Sequence, residues 1–266
     1  MVELKGKVAL VTGAAMGMGK LEALNFAGEG CRVAIADVNK EKLAEALEEF
    51  NQKGYEAYSY ILDVSDREAC LRVAEEIKND IGPIDILVNN AGVVECGDFL
   101  QMSEKSLRWM FDVNLFGQAW MMQAVVPEMV RRGTGYVVNI CSSAGKVGVA
   151  RMAGYCSTKF AGIGLTDTVR AELRGSGVTF IIVNPGFVQT GMFEGAKIPF
   201  FTRWIQPQEV ADAVLRAVKK NNWEVFIPNF AVRMAALARG FGLPKLSDFA
   251  LTIMGGNKSM TEWRGH

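Results

Sequence analysis

Apolar residues run unbroken through several short stretches of this chain and recur at three- and four-residue spacing in longer ones. The strand candidates are "KVALVT" (7–12), "RVAIAD" (32–37), "EAYSYIL" (56–62), "DILVNN" (85–90), "GYVVNIC" (135–141), "VTFIIVN" (178–184) and "WEVFIP" (223–228), several of them continuously apolar. A strand whose two faces are both covered needs no polar side, so these runs predict strands of a parallel sheet sandwiched between helices. Between them, "KEKLAEALEEFNQK" (40–53) and "DREACLRVAEEIKND" (66–80) carry the period of amphipathic helices. Alternation of this kind through most of the chain predicts a doubly wound α/β fold of about seven parallel strands, one domain spanning 1–266.

Two regions break the rhythm. From about 186 to 207, "GFVQTGMFEGAKIPFFTRWIQP" mixes glycine, proline and aromatics without a period, directly after a strand end. Ligands bind beyond strand ends in such sheets, so this segment reads as a substrate-covering loop. The other region is 230–266. Its apolar stretch "FAVRMAALARGFGLPKLSDFALTIMGG" (230–256) is punctuated by Arg233, Arg239 and Lys245, and a Gly-x-Gly-Leu-Pro interruption favours packing or pocket cover over membrane-surface contact.

Lys plus Arg and Asp plus Glu number 29 each, which advertises no basic face for nucleic acid. The five cysteines include no C-x-x-C pair, and the one histidine is His266. Reduced buried thiols in a cytoplasmic protein, with neither disulfide framework nor metal site, are the expectation. No run approaches the roughly 20 apolar residues of a membrane span.

The loop "VTGAAMGMGK" places Gly13, Gly17 and Gly19 between the first strand and a helix. Glycine lets backbone approach a ligand, and the helix amides then face an anion. The second strand ends in Asp37, 18 residues beyond Gly19. A carboxylate there accepts hydrogen bonds from a ribose diol and repels a 2′-phosphate. Met16, Val38 and Asn39 supply no cation for such a phosphate, so the expected cofactor is NAD rather than NADP, on a Rossmann-like fold.

"YCSTK" then places Tyr155 and Lys159 on one helix face. A phenol with an ordinary pKa near 10 is a poor base at neutral pH. Lowering it by about three units takes roughly 4 kcal/mol, which a neighbouring ammonium and a bound nicotinamide cation are placed to supply. In this reading Tyr155 stands in for histidine as acid/base and Lys159 tunes it.

These motifs together resemble the short-chain dehydrogenase/reductase family in its short, single-domain form. "TGAAMGMG" matches the family's cofactor loop, "NNAG" (89–92) its fourth-strand signature, "YCSTK" its Tyr-x-x-x-Lys and "NPGFVQT" (184–190) its Pro-Gly segment. The resemblance implies hydride transfer between a carbinol carbon and nicotinamide, with Asn114, Ser142, Tyr155 and Lys159 as the catalytic set. Ser142 would hold the reacting oxygen, with Ser143 as its near neighbour, and Asn114 would distort a long helix and hold a water. Asp63 and Val64 would flank adenine, although Asp63 is equally placed to cap the helix near Asp66. Met18 would offer its backbone amide. Asn90, Ala91 and Gly92 would line the cleft, with Pro185, Gly186, Val188 and Thr190 around nicotinamide. Met16, Met18 and Cys141 depart from the family's usual residues, and Cys141 and Cys156 could confer sensitivity to thiol reagents.

"YCSTKFAGIGLTDTVRAEL", "TGMF" and "GGNKSMTEWRGH" are similar to a branch containing retinol and 17β-hydroxysteroid dehydrogenases. That implies a bulky apolar alcohol or ketone, which Met192, Phe193, Ile198, Phe200, Phe201 and Trp204 would suit; the same residues would also serve simply to pack the loop. The family also implies a homodimer or homotetramer. Two alternatives stand beside this reading: a 3-oxoacyl-thioester or other small carbonyl reductase, and a non-enzymatic dinucleotide sensor or scaffold.

Overall fold

The computed structural model describes residues 2–199, 202–227, 233–234, 236–237, 240–253, 255 and 258–265. Phe200, Phe201, Pro228 and Arg239 lie outside them. Seven parallel strands, β1 (Val8–Thr12), β2 (Arg32–Asp37), β3 (Ala57–Ile61), β4 (Ile86–Asn89), β5 (Gly135–Ile140), β6 (Val178–Pro185) and β7 (Glu224–Ile227), form one sheet in the order β3-β2-β1-β4-β5-β6-β7. All seven expected strands are present, each within two residues of its anticipated ends. The chain winds outward from β1 to one edge and then from β4 to the other. Between β1 and β4 the crossovers therefore diverge and leave a crevice at the strand ends.

The continuous apolar runs are explained by what covers each face. Ala9, Val11, Val33, Ile35, Ile86, Val88 and Val138 pack in one core with α1 (Gly17–Gly28), α2 (Lys40–Gln52) and α7 (Pro207–Lys220). Their alternating neighbours Val8, Leu10, Ala34, Leu87 and Val137 pack in another, with α3 (Arg67–Asp80) and α5 (Gly117–Arg132), while α6 (Ala153–Glu172) adds Leu165 and Val169. Leu10, Ile35, Ile86 and Leu87 are wholly buried. Each contributes roughly 1.5–3 kcal/mol by leaving water.

A polar ladder crosses this apolar layer and fixes α6. Asn89 on β4 donates to Asn139 on β5 (2.8 Å), Asn139 donates to the Thr166 hydroxyl of α6 (2.8 Å), and Thr166 donates to the Gly162 carbonyl (2.6 Å). Such buried groups tolerate few geometries, because each unpaired one costs about 1–3 kcal/mol.

Helix α4 (Glu104–Phe111) runs into α5 through a π-helical turn, Asp112–Phe116. A last helix, α8 (Pro244–Ile253), follows β7. Leu246, Phe249 and Ile253 on α8 are exposed, as are Met234, Leu237 and Phe241 before it. Residues 258–265 instead turn back onto 191–197. Among the described residues no helix is long and apolar enough to cross a membrane.

Candidate active site

The crevice is built from backbone first. Gly13 and Gly17 have φ of +64° and +59°, in the left-handed region that glycine adopts without strain. Gly19 is needed for closeness: a Cβ there would lie 2.3 Å from the Gly13 carbonyl oxygen and 2.4 Å from Asn90 Nδ2. The Asn90 amide donates to the carbonyls of Thr12 and Gly13, 3.0 Å each, and the backbone N–H groups of Asn90 and Ala91 donate to the Thr12 hydroxyl. The "NNAG" segment thus clamps the end of β4 to the glycine loop.

Helix α1 begins at Gly17 with no side chain capping its amides and no acidic residue in its first turn. A Cβ on Gly17 would meet nothing within 4 Å, so this end is open. Free amides at a helix N-terminus fit a phosphate group. Asp37 sits beside the loop, one carboxylate oxygen accepting from Ala15 N (3.0 Å) and the other from Asn39 N (2.9 Å). It does not cap α2; Asn39 does. Likewise Asp66, not Asp63, caps α3, and Asp63 closes a turn on Ser65. Val64 is buried against Gly117. The donor set therefore suits a dinucleotide: unpaired amides for its phosphates and a fixed carboxylate for a diol.

Across the crevice lie the expected catalytic side chains, on three different elements. Tyr155 occupies the first turn of α6 and Lys159 the next, 5 % and 4 % exposed. The Lys159 ammonium donates to the Ile140 carbonyl at 2.9 Å and lies 5.5 Å from the Tyr155 ring centroid. Ser142 follows β5; its hydroxyl accepts from Ala144 N (3.1 Å) and donates to the Pro185 carbonyl (3.4 Å). Ser142, not Ser143, lines the cleft, together with Met18, Asn90, Gly92, Pro185, Gly186, Val188 and Thr190. Asn114 is wholly buried in the π-turn, one residue of which is extra relative to an α-helix. Its side chain accepts from Val93 N (2.7 Å) and donates to Val93 O (2.8 Å) and to Thr158 (3.2 Å), and Thr158 donates to the Tyr155 carbonyl (2.7 Å). Asn114 thereby ties the strand after "NNAG" to the base of the tyrosine helix.

Burial governs the protonation of this pair. It pushes the Tyr155 phenol above its ordinary range, while a hydrogen bond with Ser142 pulls it part of the way back. Burial also lowers Lys159. In the protein alone the lowering comes from Ser142 and desolvation outweighs it, so the phenol is held protonated. The ammonium lies against the ring face and the Ile140 carbonyl. Burial likewise raises Cys141 to about 11 and raises Cys156, and all five cysteines are free. Thiols held protonated and out of solvent react slowly. No cluster of metal-ligating side chains occurs among the described residues.

Sequence reasoning passed over Thr12, Thr158 and the buried Glu22 of α1. Glu22 is 0 % exposed, neither carboxyl oxygen has a partner, and burial pushes it up to about 8. Its place three residues after Gly19 and four before Phe26, on the inward face of α1, was a signal already in the sequence. A C-terminal packing segment at about 230–266 is expected from the sequence, but no periodic signal marks the contact of 258–265 with 191–197.

A switch-point crevice with an uncapped glycine-loop helix, facing a buried Tyr-Lys pair and a serine, defines a dinucleotide-dependent oxidoreductase. The family model for short chain dehydrogenase matches residues 7–198, and the chain belongs to that family. Among curated relatives it is 36% identical over 235 residues to epidermal retinol dehydrogenase 2 of Mus musculus, covering 85% of this chain and 75% of the mouse protein. It is 31% identical over 242 residues to 17-beta-hydroxysteroid dehydrogenase 13 of the same species, covering 89% and 79%. Among solved structures, a short chain dehydrogenase/reductase of Burkholderia phymatum in complex with NAD superposes with a TM-score of 0.83 at 25% identity, over 91% of this chain and 97% of that one. A gluconate 5-dehydrogenase of Burkholderia cenocepacia in complex with NADP and tartrate gives 0.78 at 28%, over 85% and 95%. The cofactor class is accordingly a nicotinamide dinucleotide.

Proposed function

We propose that the protein interconverts a bulky apolar alcohol and its carbonyl compound with NAD(H), using Tyr155 as the acid/base. The observation that carries this is the convergence of Tyr155 and Lys159 from α6 with Ser142 from the end of β5 on one buried cleft wall. Gly13, Gly17, Met18 and Gly19 would hold the phosphates, Asp37 the adenosine ribose, Asp63 and Val64 the adenine. Asn90, Ala91, Gly92, Pro185, Gly186, Val188 and Thr190 would enclose the remainder. When bound, the nicotinamide supplies the hydride acceptor or donor.

The remaining work falls to the chain itself. Ser142 positions the substrate oxygen through its hydroxyl. Tyr155 Oη gives its proton to that oxygen in reduction and takes it in oxidation; a phenol held protonated by burial is ready for the first of these. Lys159 keeps a positive charge behind the ring, which favours phenolate when the reverse reaction needs a base. Asn114 positions α6 through Val93 and Thr158. NAD is the preferred dinucleotide in this reading because Asp37 would repel a 2′-phosphate. The named activities of the retinol and steroid dehydrogenase relatives support the substrate class. Exposed Trp109 on α4, Phe116 in the π-turn and Phe160 on α6 suit a homodimer or homotetramer, and five free thiols suit the cytoplasm.

The test is initial rates with NAD and NADP across alcohols from short aliphatic to steroid-sized, with Tyr155→Phe alongside. Turnover by the wild type and a loss of about 10³-fold in the variant, with NADH binding retained, is the expected result. A fully active Tyr155→Phe enzyme would remove the proposed acid/base. Turnover of short substrates alone would replace the bulky substrate by a small one.

A further inference from the structure

The cavity beside Tyr155, Ser142 and Lys159 measures only about 30 Å³. Small-molecule pockets are ordinarily roughly 300–1,000 Å³. Phe193 is what fills the space. It is 6 % exposed and meets Tyr155 edge-on, ring centroids 6.2 Å apart; Phe187 backs it at 5.6 Å and Trp204 backs Phe187 at 6.2 Å. Phe193 ends a single 3-10 turn, Gly191–Phe193, whose own hydrogen bonds are local, from Phe193 N to Thr190 and from Glu194 N to Gly191.

The longer-range hold on that turn comes from the C-terminal segment. The Trp263 indole N–H donates to the Met192 carbonyl (2.9 Å), Arg264 N to the Glu194 carbonyl (2.8 Å) and Lys197 N to the Ser259 carbonyl (2.8 Å). Two glycines let the backbones touch. A Cβ on Gly195, whose φ is +76°, would lie 2.2 Å from the Glu262 carbonyl oxygen, and one on Gly265 2.3 Å from that of Met192. Met260, 1 % exposed, packs in the same apolar cluster as Tyr155 and Phe193.

We propose that residues 258–265 latch the 191–194 turn over Tyr155, and that Trp263 thereby sets the size of substrate the enzyme accepts. The size effect rests on the alcohol/ketone reading above. A short alcohol needs only the Phe193 ring to swing aside. A bulky one needs the Met192–Glu194 backbone to lift, which breaks the latch. The bulky substrate alone then binds only the fraction of molecules with the latch open, and its apparent affinity falls by that fraction.

Trp263→Phe keeps an aromatic, smaller ring and removes the N–H donor; Gly195→Ala presses the latch away from the opposite side. Each would be assayed with 2-butanol and cyclododecanol, and by amide hydrogen exchange. In both variants KM for cyclododecanol should fall about fivefold, the effect of one net hydrogen bond, with kcat and the 2-butanol KM within about twofold of wild type. The amides of Lys197 and Arg264 should exchange faster by a similar factor while those of β4 and β5 do not change. Equal changes for the two alcohols, or none, would overturn the role in size selection. Unaltered exchange at Lys197 and Arg264 would overturn the latch itself. If the wild type oxidises neither alcohol, the functional reading fails, and the exchange of those two amides still decides the latch.

Discussion

The two lips of the crevice are held in different ways. The dinucleotide lip is made by β1, β4 and the start of α1, whose backbones touch through Gly13, Gly19 and the Asn90 amide at distances that leave no room for a methyl group. The opposite lip, from Pro185 to Glu194, leaves the sheet after β6 and is fastened from outside by residues 258–265. One lip is a rigid consequence of strand order; the other depends on a contact between segments about 65 residues apart in sequence. A cofactor common to a whole family needs fixed geometry, whereas a substrate that differs between members is served by a part that can be changed separately.

Substitutions on the first lip should therefore have the larger effects. Gly19→Ala forces a methyl group onto the Gly13 carbonyl, and dinucleotide binding followed by NADH fluorescence should weaken by at least about 100-fold, because a helix N-terminus moved by an ångström no longer meets a phosphate. Undiminished binding would show slack in the loop. Glu22, one turn along α1, tests the same lip through stability. Its carboxyl keeps its proton up to about pH 8 in the folded protein but releases it near 4.5 in the unfolded chain. The folded state therefore holds the extra proton in that window, and stability falls as pH rises through it. Glu22→Leu should remove that fall and leave the variant a few kcal/mol more stable at pH 8 by urea denaturation; parallel pH profiles would contradict an unpartnered buried acid.

Smaller still is the effect expected for Asp37→Ala. Two backbone amides lose their acceptor and the ribose diol its charged partner, so the ratio of kcat/KM for NAD to that for NADP should drop by about ten- to a hundredfold. An unaltered ratio would assign cofactor choice to another residue. On the second lip, the fivefold change expected at Trp263 is the smallest of the set. An effect there exceeding that of Asp37→Ala would mean that the two lips are not mechanically separate.

This division also decides what was legible beforehand. The strands could be read because helices cover both faces of the central sheet, which leaves several continuously apolar runs. The glycine loop and Asp37 could be read because strand, turn and helix follow one another within 30 residues. Tyr155 and Lys159 share a helix face by spacing alone. Asn114, Ser142 and the Pro185–Thr190 contacts came by family resemblance, since no local pattern marks them. The C-terminal segment is expected to pack or cover the pocket, but where it closes could not be read, because its hold consists of backbone carbonyls, amides and two glycines, which have neither hydrophobic period nor charge pattern. How far burial raises the Tyr155 pKa in the protein alone could not be read from spacing, because desolvation depends on what covers the pair.

The π-turn at Asp112–Phe116 has a consequence for how one rod serves two masters. An α-helix winds about 100° per residue, so a single extra residue rotates the phase of everything on one side of it by that amount. Met110, before the turn, points into the cluster with Tyr155 and Phe193; Met121, Met122 and Val125, after it, point into the sheet. The inserted residue is a mechanical gear that lets α4 address the cluster around Tyr155 while α5 addresses the sheet. A one-residue deletion anywhere in 112–116 would re-mesh that gear as a regular helix and turn α4 away from that cluster, even though every named catalytic side chain outside the turn remained in place.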